Sequence, residues 1–64
     1  MSTHDTFKQF LAAFAEAAGI DPVDADAQWS GFSRDLPDCD RAAIESGGEA
    51  SGREMGEDFR TVYA

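Results

Sequence analysis

One histidine, one cysteine and thirteen carboxylates carry most of the reactive chemistry in this 64-residue sequence, and any catalysis or metal binding would fall to them. A nucleophile needs an adjacent base and a third group to orient that base. His4 stands alone in a stretch of helix-capping residues, and Cys39 sits between Asp38 and Asp40, whose negative charge disfavours the reactive thiolate. His4 therefore reads as a surface residue and Cys39 as a small packing residue. A single cysteine excludes an internal disulfide, and with a single histidine there is no ligand set for a structural zinc. Asp24-Ala25-Asp26-Ala27-Gln28 is similar to the opening of a calcium loop. Such a loop needs glycine at its sixth position for the sharp turn and glutamate at its twelfth for two oxygens, and those positions hold Trp29 and Asp35. The glycines do not form a phosphate loop either, because they repeat at helical intervals with no strand before them. The expectation is a protein with no enzymatic activity, metal or cofactor.

What remains is charge. Thirteen acids against five bases give a net charge of −8, which disfavours direct contact with nucleic acid or an anionic membrane and suits a protein partner with a basic surface. Between Asp21 and Asp40 six aspartates face only Arg34, a local charge of −5. Four of them, Asp21, Asp24, Asp38 and Asp40, fall at predicted helix starts, where capping and the helix dipole explain them. Arg41, Glu45, Glu49, Arg53 and Glu57 form a four-residue row of mixed sign, as on a solvated helix face. Glu54, Glu57 and Asp58 are less well compensated, and with Asp24, Asp26 and Asp35 they form the candidate acidic recognition face. Carboxylates one helical turn apart are spaced about 6 Å, near the spacing of successive phosphates. Such a face can occupy a groove built for DNA or RNA. Trp29 and Tyr63, aromatic with a polar handle, are the candidate contact aromatics. By analogy of size and charge alone, the chain is comparable to small acidic phage proteins that block host nucleases or CRISPR complexes.

These residues must be positioned by helices. Ser2, Thr3 and Asp5 are capping residues, and Phe7, Phe10, Leu11 and Phe14 then repeat along one helical face, predicting a helix over Thr3 to Ala18. Gly19 is a left-handed stop, with Ile20 placed to fold back on the last turn. Asp21-Pro22 starts a second helix, to about Asp35, with an apolar stripe of Ala25, Trp29, Phe32 and Leu36 and a weak point at Gly31. Leu36-Pro37 ends it, and a third helix starts near Asp40. One reading stops this helix at Gly47-Gly48 and begins a fourth at Ser51. The other, which we prefer on sequence grounds, runs unbroken from Asp40 to Tyr63, because Ile44, Gly48, Ser51, Met55, Phe59 and Val62 keep one helical phase across the glycines.

Gly48, Gly52 and Gly56 are four residues apart inside that segment. A glycine in a helix interior costs roughly 1 kcal/mol relative to alanine, so three in register imply that another backbone comes very close. The contact stripe is Ile44, Gly48, Ser51, Gly52, Met55, Gly56 and Phe59. It fits a crossing inside the molecule, where helix 1 with Ala12, Ala13, Phe14 and Ala15 or helix 2 with Trp29 fills the groove. It also fits a two-fold crossing in a homodimer, or a dock into a larger assembly.

Size and composition limit the rest. A 64-residue chain forms one domain, residues 1–64, and buries only about 60% of its unfolded surface. With 42% apolar residues it is too hydrophobic to be a disordered tail. It contains no leader pattern and no apolar run approaching the ~20 residues of a membrane span, so a cytoplasmic protein is expected, in the host cytoplasm if it is phage-encoded. The predicted fold class is all-α, a small bundle of three or four helices whose last helix is long and carries the glycine stripe. The expected function is a protein-binding inhibitor that covers a basic surface. The alternative is a structural subunit or adaptor that docks by its glycine-striped helix.

Overall fold

The computed structural model describes residues 3–36 and 40–63, with Thr3 and His4 described by backbone alone. Helix α1 spans Thr3–Ala18, as the phenylalanine spacing predicts. Phe10 and Phe14 are completely buried, and Phe7 and Leu11 pack partly buried beside them. The helix ends in a Schellman turn. Gly19 takes φ +73°, the Ile20 amide donates to the Ala15 carbonyl at 3.0 Å, and the Gly19 amide donates to that of Glu16 at 3.3 Å.

The second helix opens more tightly than its sequence suggests. Pro22–Asp24 form a 3-10 turn, capped by the Asp21 carboxylate, which accepts from the Val23 amide at 2.9 Å. Helix α2 follows over Ala25–Asp35 and continues through Gly31 without ending there. Ala25, Trp29 and Phe32 are buried and Leu36 is half-buried, so the predicted apolar stripe faces the core.

The preferred continuous third helix is not what forms. The segment is two helices, α3 over Arg41–Ser46 and α4 over Gly48–Tyr63, broken where Gly48 adopts φ +63°. Asp40 caps α3 by accepting from the Ala43 amide at 3.2 Å. A left-handed residue costs an ordinary side chain about 1–2 kcal/mol and glycine almost nothing, so the chain turns here at little expense. The turn lets α3 pack on α1 while α4 lies along α1 in its own direction.

That direction follows from the glycines. A Cβ placed on Gly48 would lie 3.5 Å from the Thr6 methyl, one on Gly52 would run into the Phe10 carbonyl oxygen and lie 3.0 Å from the Ala13 methyl, and one on Gly56 would be 2.6 Å from both the Ala17 methyl and the Phe14 carbonyl oxygen. Contacts advance together along both helices, so α1 and α4 run parallel, with α2 and α3 forming the crossover. The hydrogens standing in place of Cβ on Gly52 and Gly56 point at main-chain oxygens, the geometry of weak Cα–H···O bonds. The stripe therefore packs within the chain. Ala13 and Ala17 meet it; Ala12 is exposed, so it takes no part in filling the groove as the sequence suggested.

Between α1, α2 and α4 lies an aromatic core. Trp29 meets Phe10 at 4.8 Å and Phe14 at 5.7 Å edge-on, and Phe59 meets Phe14 at 5.4 Å and Phe32 at 5.5 Å in the same manner. Each such pair adds about 0.5–1.5 kcal/mol beyond its buried area. In a chain too short for a thick core, rings do most of the packing.

Candidate protein-binding surface

The six candidate acids are all exposed: Asp24, Asp26 and Asp35 along the second helical segment, Glu54, Glu57 and Asp58 on α4. Among the described residues none of the six forms an ion pair; the two pairs present are Arg41–Glu45 at 3.1 Å and Arg53–Glu49 at 2.9 Å. The predicted mixed-sign row is thus split by the Gly48 turn into one pair on each helix.

The six do not share one face. Glu54, Glu57 and Asp58 are three and four residues apart on α4 and form one patch about 6 Å across. Asp26 and Asp35 are nine residues apart, half a turn out of phase, and flank the buried stripe of α2 on opposite sides. Asp24 ends the 3-10 turn and makes no side-chain cap bond, so the capping role expected of it is not taken up. Asp38 lies outside the described residues. Glu57 also borders a shallow groove between α1 and α4, lined by Ala13, Glu16 and Ala17 on one side and Arg53, Arg60 and Thr61 on the other. Arg53 and Arg60 border the same groove without an ion pair to Glu57, Arg53 being engaged by Glu49, while Glu54 and Asp58 lie outside it.

The aromatic candidates separate. Trp29 is fully buried and so unavailable as a surface contact. Its indole N–H donates to Glu45 Oε1 at 3.0 Å, the same oxygen that accepts from Arg41 Nε at 3.1 Å, while Arg41 Nη2 reaches Ser30 Oγ at 3.2 Å. A buried indole needs an acceptor, and this one finds it on a different helix. The sequence marks Glu45 only as a member of a solvated row, with nothing to distinguish it as the partner of Trp29. Tyr63 is 58% exposed, its ring resting on Phe59 at 4.6 Å and Phe32 at 6.1 Å. Val62 beside it is also exposed.

Of the contact stripe, Gly48, Gly52, Gly56 and Phe59 are buried and Ser51 and Met55 half-buried on α4, while Ile44 is half-buried on α3. With α1 seated on it, the strip offers no free docking surface for another helix. The side chains of His4 and Cys39 lie outside those described. Among the described residues no group of three or more His, Cys, Asp or Glu side chains is placed to hold a metal ion, and no helix is long and apolar enough to cross a membrane. No protein-family model, curated protein or solved structure matches this chain.

Proposed function

We propose that this chain is a small acidic protein-binding module that covers a basic surface of a target protein, including one that otherwise holds DNA or RNA. The observation that carries the reading is the exposure of six carboxylates with no ion-pair partner among the described residues, three of them gathered on α4. Unpaired surface carboxylates raise the negative potential that steers a basic partner into encounter. Glu54 and Asp58 would lead the approach, and Tyr63, exposed at the end of the same helix, would add contact area with little loss of side-chain freedom. The module would act in the cytoplasm by occlusion, without catalysis or cofactor. The adaptor reading, docking through the glycine strip, would require α1 to leave Gly52 and Gly56.

The test is capture from lysate by the wild type and by a variant carrying Glu54→Gln, Glu57→Gln and Asp58→Asn. Retained proteins are expected to be released by duplex DNA or RNA and to weaken steeply between low and physiological salt. The neutralised variant should hold them about tenfold less well. Retention insensitive to salt, to competitor and to neutralisation would contradict the reading.

A further inference from the structure

We propose that α4 exchanges between two copies of this chain, with Gly47–Gly48 as the hinge, to give a two-fold dimer in which each α4 lies on the α1 of the other copy. The hinge is small. Gly47 already has right-handed helical angles, φ −75° and ψ −9°, and Gly48 at φ +63° is the residue that turns the chain. Moving Gly48 to the right-handed region joins α3 to α4 as one helix from Arg41 to Tyr63. The sequence is ready for that state: Ile44, Gly48, Ser51, Met55, Phe59 and Val62 keep a single helical phase across the break.

The joined helix also improves backbone pairing, because the break leaves the last carbonyls of α3 and the first amides of α4 outside the pairing a continuous helix gives them. Exchange requires no new surface. α4 packs mainly on α1, and the second copy offers an identical α1, so the approach of Gly52 to Phe10 and Ala13 and of Gly56 to Phe14 and Ala17 is rebuilt between chains. Everything before the hinge stays in place, including the Trp29–Glu45 and Arg41–Ser30 bonds that hold α3 to α2. Only the corner between α3 and α4 is given up. Two effects oppose the dimer: glycine disfavours a helix interior, and two chains of charge −8 repel. Near-balanced states joined by one short hinge are the setting in which element exchange occurs. The exchange does not depend on what the acidic patch binds.

Because α4 must leave α1 before it can exchange, the experiment starts from denatured chain, refolded at millimolar and at micromolar concentration and measured by light scattering. Wild type is expected to yield long-lived dimer at the higher concentration, more of it at high salt, and monomer at the lower. Gly48→Ala removes the tolerance for positive φ and improves the joined helix. With only ordinary contact to Thr6 in the closed form, it should tighten dimerisation by roughly a thousandfold, since both chains contribute. Ala50→Pro does the reverse. Ala50 is exposed in the first turn of α4, where a missing amide is tolerated, but in the joined helix a proline there would clash with the Ser46 carbonyl, so this variant should remain monomeric at every concentration. In dimer mixed from isotope-labelled and unlabelled chains, contacts from the Ala13 and Ala17 methyls to the Gly52 and Gly56 α-protons should appear between chains. Wild type and Gly48→Ala remaining monomeric after concentrated refolding, or a dimer in which those contacts stay within each chain, would overturn the proposal.

Discussion

Two of the seams in this chain work by opposite means. Where α4 meets α1, side chains have been removed: Gly52 and Gly56 lie against the main chain of α1 with no room for a methyl group. Where α3 meets α2, side chains reach: the Glu45 carboxylate spans to the Trp29 indole, the Arg41 guanidinium spans to Ser30, and no residue of α3 is fully buried. The first seam gains from close contact along two helical turns and tolerates no added volume. The second rests on hydrogen bonds made by one carboxylate and one guanidinium, so it should yield to much smaller perturbations locally and matter less globally. A short protein with a thin core thus places its rigidity on one face and a lightly held helix on another.

Gly52→Leu strikes the tighter seam hardest. An isobutyl group cannot be placed between α4 and the Phe10 carbonyl, so the variant should lose about 4 kcal/mol or more and be largely unfolded by circular dichroism. Near-native stability would mean that the α1–α4 seam opens easily. At the other seam, Glu45→Ala takes the acceptor from a buried indole N–H and should cost about 1–2 kcal/mol without unfolding the protein. Trp29 is the only tryptophan, so its emission reads the event directly. A red shift with increased quenching by iodide is expected for Glu45→Ala, and unchanged emission would show that α3 is held by something else.

Much of this arrangement is legible in the sequence because it is local or periodic. The phenylalanine spacing marks α1 and its buried face, Gly19-Ile20 marks the Schellman stop, and Asp21-Pro22 marks a helix start, though not that the start would be a 3-10 turn. The glycine interval marks a close approach of backbones. Periodicity fails where one residue changes handedness: a left-handed Gly48 leaves the phase of Ile44, Ser51 and Met55 on paper as it was, so a broken and a continuous helix look alike. It fails too where the partner is distant in the chain. Trp29 could be read as a surface anchor because its acceptor is sixteen residues away on another helix. The acids show the same limit, since composition counts Asp26 and Asp35 together whereas helix geometry turns them to opposite sides of α2.

Gly52 and Gly56 are glycine because α1 leaves no space for a Cβ there, and a pair of alanine substitutions probes this. Gly31 on α2 is exposed with nothing near a Cβ, whereas on Gly52 a Cβ meets the Phe10 carbonyl and the Ala13 methyl. In urea unfolding, Gly31→Ala should raise stability by about 0.5–1 kcal/mol from helix propensity alone, and Gly52→Ala should lower it by about 1–3 kcal/mol despite the same propensity gain. Both substitutions stabilising the protein would show that α1 does leave room at Gly52.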